Sequence, residues 1–173
     1  MRAASARADP RGVNFRSKLL SHEDLAGWRA ARRAAGERVV ATNGCFDLLH
    51  LGHVTYLEAA RALGDVLLVG VNGDASVRAL KGAGRPINPE RDRALVLAAL
   101  ASVDAVYVFP ELTALAFLDR VRPDLYAKGG DYSVDTINQE ERHFVEGYGG
   151  RVVVLGGVPG KSTTQVAQRM AAG

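Results

Sequence analysis

The feature that most constrains the fold of this chain is a regular alternation of short apolar runs with helical segments. Five such runs occupy residues 38–42, 65–71, 105–109, 124–127 and 151–155. Each run is almost continuously apolar, which is typical of a strand buried on both faces of a parallel sheet. Parallel strands need crossover connections, and right-handed crossovers place helices on both faces of the sheet. The sequence therefore predicts an α/β fold with an open parallel five-stranded sheet between two layers of helices.

Helix signals separate the apolar runs. Ser21 lies three residues before Asp24, and this pairing of an N-cap with an acidic partner predicts a helix that ends near Gly36. Pro89 suits the first turn of a helix, because proline lacks the amide that would be unpaired there. Further helices are expected over residues 53–63, 89–101, 112–121, 139–148 and 164–170, with a short one after Asp74.

Length, charge and cysteine content limit the class of protein. The 173 residues suit one domain, which we expect over residues 18–173, behind a flexible basic tail at 1–17. No apolar run approaches the roughly 20 residues of a membrane span, and no basic patch is interleaved with aromatic residues. The single cysteine, Cys45, suits a reducing compartment. We therefore expect a cytoplasmic protein that binds neither membrane nor nucleic acid.

A candidate phosphate site follows the first apolar run. In open parallel sheets, ligands bind beyond the carboxyl ends of the strands, where the strand order reverses. There the chain places two glycines and the histidines His50 and His53 at the start of a helix. Free amides and the helix dipole attract an anion, and imidazoles can donate hydrogen bonds to phosphate oxygens. In the alternatives, the two histidines are a turn residue and a helix cap, or they bind a metal, although no third ligand is apparent nearby.

Two other patterns have simpler interpretations. Cys45 precedes the histidines, but we interpret it as a small residue in a tight turn rather than a nucleophile. Residues 156–162 resemble a phosphate-binding P-loop. The spacing of that motif would place its first glycine at position 155, which is Leu155, so a P-loop is not expected.

These motifs together resemble the cytidylyltransferase-like nucleotidyltransferase superfamily, whose signature is His-x-Gly-His at the first strand-to-helix turn. The matching residues here are 50–53. Supporting similarities cover residues 70–78, 80–89, 128–132 and 162–164, so the resemblance extends over nearly the whole chain from about residue 19. It implies a Rossmann-like sheet with the strand order 3-2-1-4-5.

The resemblance also implies roles for individual residues. The catalytic set is His50, His53 and Lys81. The nucleotide-binding set is Asn43, Gly44, Cys45, Phe46, Gly52, Arg93, Lys128, Gly129, Ser162, Thr163 and Thr164. The substrate-binding set is Asp47, Asn72, Asp74, Arg85 and Asp131, and no metal ligand is expected among the side chains.

Several of these assignments have structural alternatives. Lys81 and Arg85 would otherwise belong to a solvated basic loop. Asn72 and Asp74 would be turn and cap residues, and Arg93 would lie on a helix surface. The glycines beside Lys128 would form a bare turn.

Within the superfamily, residues 85–88 and 128–132 are most similar to the heptose 1-phosphate adenylyltransferases. That branch implies transfer of AMP from ATP, with Mg²⁺, to D-glycero-D-manno-heptose 1-phosphate. The product, ADP-heptose, would serve lipopolysaccharide precursor synthesis, and the enzyme would be a homodimer. The alternative is a cytidylyltransferase acting on glycerol 3-phosphate or a similar alcohol phosphate, although such relatives often carry an arginine near the position of Lys161. A catalytically idle nucleotide-binding subunit is a further alternative.

Overall fold

The central element of the described part of the chain is one parallel sheet of six strands. The computed structural model describes residues 14–130, 133 and 135–156. The strands are β1 (Leu19–Leu20), β2 (Val39–Gly44), β3 (Val66–Asn72), β4 (Ala105–Phe109), β5 (Leu125–Gly130) and β6 (Arg151–Gly156). They lie in the order β1-β4-β3-β2-β5-β6, and every pairing is parallel. The predicted α/β class is therefore confirmed.

The prediction of five strands is wrong, because β1 adds a sixth at one edge. Leu19 and Leu20 pair with Val106 and Tyr107 of β4. A strand of two residues is too short to produce a recognisable apolar run. The five predicted strands correspond to β2 through β6, and among themselves they follow the expected 3-2-1-4-5 arrangement.

Within the described ranges, six α-helices connect the strands and one short 3-10 helix precedes β1, whereas the helix predicted at 164–170 lies outside those ranges. The 3-10 helix spans Phe15–Lys18. The α-helices are α1 (His22–Ala34), α2 (Leu51–Arg61), α3 (Asp74–Lys81), α4 (Glu90–Ala98), α5 (Leu115–Val121) and α6 (Gln139–Gly147). A capping box between Ser21 and Asp24 begins α1, as predicted. Pro89 is the N-cap residue of α4 rather than part of its first turn. No helix in the described ranges is long and apolar enough to cross a membrane.

The helices cover both faces of the sheet, as predicted. Successive strand residues point to opposite faces, so Val39 and Ala41 of β2 join one apolar cluster and Val40 joins the other. The first cluster includes Leu25 of α1, and the second includes Leu57 of α2. Every residue of β3 is buried, which explains its continuously apolar sequence.

The sheet topology determines where a ligand can bind. Strand β2 lies between β3 and β5. The chain moves from β2 to β3 in one direction along the sheet and from β5 to β6 in the other, so α2 and α6 cover opposite faces and a crevice opens at the carboxyl end of β2. Residues 43–53 begin at that end and run into α2.

Candidate active site

A cavity of about 500 Å³ opens at the carboxyl ends of β2 and β5. This volume is within the range of roughly 300–1,000 Å³ that is usual for small-molecule sites. Ten of the predicted site residues line it: Asn43, Gly44, Cys45, Phe46, Asp47, His53, Lys81, Arg85, Lys128 and Gly129. The structure thus brings together segments that are far apart in the sequence.

The histidine turn, which we define as residues 43–53, leads into the N-terminus of α2. His50 is the N-cap residue, and its Nδ1 accepts a hydrogen bond of 3.1 Å from the Gly52 amide. In the neutral ring this acceptor role places the proton on Nε2, which is then a donor. The cap that His50 forms also explains why α2 begins two residues before the predicted start. The interpretation of His50 as a helix cap is therefore correct.

His53 lies against His50, with 3.9 Å between the ring centroids. It lines the cavity, and its Nδ1 is buried without a hydrogen-bond partner among the described residues. Burial, aided by the nearby His50, lowers the pKa of His53 to about 4. His53 is therefore neutral near pH 7, and a bound anion would favour its protonation.

Phe46 shapes the wall beside His53. Its backbone is left-handed, with φ of 46°, which costs about 1–2 kcal/mol for a residue with a side chain. The ring meets that of His53 edge-on, with 5.4 Å between centroids. Only 6% of Phe46 is exposed, and burial of its ring offsets the cost of the unfavourable backbone.

Asp47 holds the loop that carries Arg85. Its carboxylate accepts 2.9–3.0 Å hydrogen bonds from the amides of Ile87 and Asn88, and Arg85 Nη1 lies 2.5 Å from its Oδ2. Burial raises the pKa of Asp47, but the two amides and the Arg85 guanidinium outweigh it and hold the pKa below its ordinary value. The two predicted substrate-binding residues thus bind each other. Lys81, exposed at the end of α3, is the neighbouring cation.

Arg93 stands behind the cavity rather than in its lining. The side chain is fully buried. It donates to the carbonyl oxygens of Cys45, Asn72 at 2.8 Å and Asn88 at 2.9 Å, and to the Asp74 carboxylate at 2.8 Å. Arg93 therefore joins three segments around the site, and it lies inside the fold rather than on a helix surface.

Asn72 and Asp74 share this supporting position. Neither lines the cavity. The Asn72 side chain donates to Ser76 Oγ at 3.1 Å, and only 4% of the residue is exposed. The alternative interpretation as turn and cap residues is wrong, because Asn72 is the last residue of β3 and Asp74 the first residue of α3, whose N-cap is Gly73.

Gly129 packs directly against the Tyr56 ring. A Cβ at Gly129 would lie 2.4 Å from the Tyr56 ring, so only glycine permits this close packing.

Burial raises the pKa of the Cys45 thiol by more than Lys81 and Arg93 lower it. A raised pKa disfavours the thiolate, which fits the interpretation of Cys45 as a small turn residue.

Some predicted residues lie outside the described ranges. Asp131, Ser162, Thr163 and Thr164 belong to the segments that the structure does not describe. Within residues 14–130, 133 and 135–156, no three His, Cys, Asp or Glu side chains come together as a metal site.

The comparisons with known proteins agree with this geometry. The profile of the family described as cytidylyltransferase-like matches residues 41–169. The chain belongs to this family.

Individual relatives give the family relationship more detail. The bifunctional protein HldE of Syntrophotalea carbinolica is 48% identical over 158 residues, which are 91% of this chain and 32% of that protein. The protein of the same name from Pseudomonas paraeruginosa is 56% identical over 161 residues, or 92% of this chain and 32% of its own. The chain thus spans about a third of the length of these curated relatives.

A solved structure is also similar. It is the lipopolysaccharide core biosynthesis protein from Thermoplasma volcanium, with a TM-score of 0.59 and 30% identity. The match covers 71% of this chain and 98% of that one. The family match includes the histidine turn and every segment that lines the cavity.

Five cavity-lining residues were missed by the sequence interpretation: Val77, Leu80, Ile137, Asn138 and Glu141. Val77 and Leu80 lie on α3 between the predicted residues Asp74 and Lys81, so helical spacing was the available signal. Glu141 had none, because an acidic residue in the first turn of a helix is normally explained by the helix dipole.

Proposed function

We propose that this protein transfers AMP from ATP to D-glycero-D-manno-heptose 1-phosphate and releases pyrophosphate. The observation that carries the proposal is the position of His50 and His53 at the N-terminus of α2, beside the cavity at the carboxyl end of β2. Relatives of 48–56% identity named HldE support it, as does the similar lipopolysaccharide core biosynthesis protein. The product would be ADP-heptose for lipopolysaccharide precursors.

The reaction we propose is a direct displacement. A phosphate oxygen of the sugar phosphate attacks the α-phosphorus of ATP, and one new P–O bond forms. The bond between the α-phosphorus and the bridging oxygen breaks, so pyrophosphate leaves with its electron pair. Transfers of this kind depend on positioning and charge neutralisation more than on proton transfer.

The described residues supply donors and positive charge for that step. The His50 Nε2 proton would stabilise charge that develops on the α-phosphate, and the helix amides around Gly52 would add to it. His53, whose pKa burial lowers to about 4, would hold the β- and γ-phosphates and gain a proton as their charge raises that pKa. Lys81 lines the same cavity and would neutralise phosphates of both substrates.

ATP would enter as its magnesium complex. Mg²⁺ usually keeps several waters and takes its other oxygens from substrate phosphates. We also propose a homodimer, which analytical ultracentrifugation would test.

Pyrophosphate release tests the proposal. The assay pairs ATP or CTP, with magnesium, with the α and β anomers of heptose 1-phosphate and with glycerol 3-phosphate. Turnover only with ATP and one heptose anomer is the expected result, and it would also define the stereochemistry. CTP-dependent turnover with glycerol 3-phosphate would replace the proposal with the cytidylyltransferase alternative. Binding of ATP without turnover of any pair would indicate a nucleotide-binding subunit.

A further inference from the structure

A compact polar network forms one wall of the cavity. Its members are Asn43 at the end of β2, Tyr126 and Lys128 on β5, and Glu141 on α6. Lys128 Nζ lies 2.7 Å from the Tyr126 hydroxyl, 2.9 Å from Asn43 Oδ1 and 3.0 Å from Glu141 Oε2. The Tyr126 hydroxyl lies 2.5 Å from Asn43 Oδ1 and 2.8 Å from Glu141 Oε2. Asn43, Tyr126 and Glu141 therefore all contact the ammonium group of Lys128.

Lys128 directs its ammonium group towards oxygens of the protein. A lysine ammonium carries three N–H donors and no acceptor, and three protein oxygens lie within hydrogen-bond distance of it. Glu141 balances its charge, and both side chains are largely buried, with exposures of 17% and 6%. Lys128 therefore differs from Lys81, whose exposed side chain lies at the end of α3.

Glu141 is itself held from a second direction. Its Oε1 accepts a 2.9 Å hydrogen bond from the Ala114 amide, just before α5. Burial raises the pKa of Tyr126 well above its ordinary value, and Glu141 adds to this effect. Tyr126 therefore stays protonated and serves as both donor and acceptor within the network.

The network determines which way the Asn43 amide faces. A group 2.9 Å from a lysine ammonium must be an acceptor, because the ammonium can only donate. The oxygen of Asn43 therefore faces Lys128, and its NH₂ group is directed away from that ammonium. Asn43 lines the cavity, at the carboxyl end of the central strand.

We propose that the Asn43 NH₂ group donates a hydrogen bond to an oxygen of a bound substrate, and that Lys128, Tyr126 and Glu141 are positioning residues that act through Asn43. The oxygen belongs to a phosphate or to a sugar hydroxyl. This inference rests on the proposed function for the identity of the substrates. It gives Lys128 a different role from direct contact with the nucleotide.

Two substitutions test the donor. Asn43→Asp retains an oxygen towards Lys128 but replaces the NH₂ donor with an acceptor, and Asn43→Ala removes both. We expect each to weaken binding of one substrate by roughly 10- to 100-fold, the effect of one lost hydrogen bond at a buried site. Asn14→Asp is the matched control, because Asn14 is exposed beside the 3-10 helix. Thermal melting of all three variants would verify that they fold.

Calorimetric titration distinguishes the source of the oxygen. ATP and heptose 1-phosphate are titrated separately into the wild type and the Asn43 variants. A higher Kd for ATP assigns the oxygen to the nucleotide, and a higher Kd for heptose 1-phosphate assigns it to the acceptor. Unchanged Kd and KM values for both ligands in both variants would overturn the inference. These titrations need no turnover, so failure of the proposed reaction would be seen separately, in the pyrophosphate assay.

A double-mutant cycle tests the positioning role. Tyr126→Phe is made in the wild type and in Asn43→Ala. We expect the single variant to raise the affected Kd several-fold and to have almost no further effect when the amide is absent. A purely structural role for Tyr126 would raise Kd by the same factor in both backgrounds, and that result would overturn this part of the inference.

Discussion

The Arg85 guanidinium lies 2.5 Å from the Asp47 carboxylate, and this ion pair joins the loop before α2 to the loop before α4. Both side chains are mainly buried, with exposures of 22% and 6%. Asn88 strengthens the same junction, because its side chain donates to the Asp47 carbonyl at 2.8 Å. Asp47 therefore fixes the loop that carries Arg85 at the edge of the cavity.

Replacing Asp47 by asparagine should loosen this junction. We expect the free energy of unfolding to fall by about 1–3 kcal/mol, because charge-assisted hydrogen bonds are lost at a buried position. Loss of the loop position should also lower kcat/KM by roughly tenfold or more. Urea unfolding and steady-state kinetics would measure both. Asp92→Asn, on an exposed surface of α4, is the control, and equal effects of the two changes would contradict the role of Asp47.

The contribution of Asp47 should also depend on pH. Because its pKa is lowered in the folded protein, its stabilising effect is complete above the unfolded pKa of about 4 and is lost as pH falls through the folded value. The difference in unfolding free energy between wild type and Asp47→Asn should therefore shrink in acid. A difference that stays constant from neutral pH to about pH 2 would argue against ionisation of Asp47 as the cause.

His53 should also reduce stability as pH falls, but at a higher pH than Asp47. Its folded pKa of about 4 lies below the ordinary value of 6.5. As pH falls between these values, the unfolded chain binds a proton that the folded protein does not, so the free energy of unfolding decreases. Allowing for partial exposure, we expect a loss of roughly 1–3 kcal/mol. His53→Gln should remove this loss, whereas His143→Gln, at an exposed position, should retain it.

Ligand binding should change the protonation of His53. Phosphate oxygens near the ring favour the imidazolium form, so the pKa should rise when pyrophosphate binds. NMR titration of the imidazole signals, with and without pyrophosphate, would measure the shift. An unchanged pKa under saturating pyrophosphate would place the anion away from His53.

Two substitutions of His50 would separate its structural role from its proposed catalytic role. His50→Ala removes the N-cap of α2 and should cost about 1 kcal/mol of stability. His50→Ser restores a capping side chain and should approach wild-type stability. Both variants lack the second ring nitrogen, so we expect kcat to fall by about 10²–10³ in each. Wild-type turnover in the serine variant would remove His50 from the proposed mechanism.

Arg93 should matter chiefly for the integrity of the site. Arg93→Met leaves the Asp74 carboxylate and several carbonyl oxygens without their buried partner, and we expect a loss of about 3–5 kcal/mol in unfolding free energy. Arg91→Met, exposed two residues earlier on α4, is the control. If Arg93→Met instead unfolds like the wild type while ATP binding is lost, Arg93 contacts the nucleotide directly.

The sequence alone was sufficient for the main plan of the fold. Strands buried on both faces leave continuous apolar runs, and such runs identified β2 through β6. The histidine turn was also visible, because its glycines and histidines are adjacent in the chain. The edge strand β1 was missed, since two residues carry no periodicity.

Only the tertiary structure decided what the individual polar side chains do. Arg93 meets the Cys45 carbonyl, 48 positions away, and Lys128 meets Asn43, 85 positions away. Such contacts depend on which strands become neighbours and on how their ends align, and local patterns carry no record of either. A lysine beside two glycines therefore has the same sequence signal whether or not its ammonium contacts other side chains of the protein. Here it does, because the fold brings Lys128 of β5 close to Asn43 of β2 and Glu141 of α6.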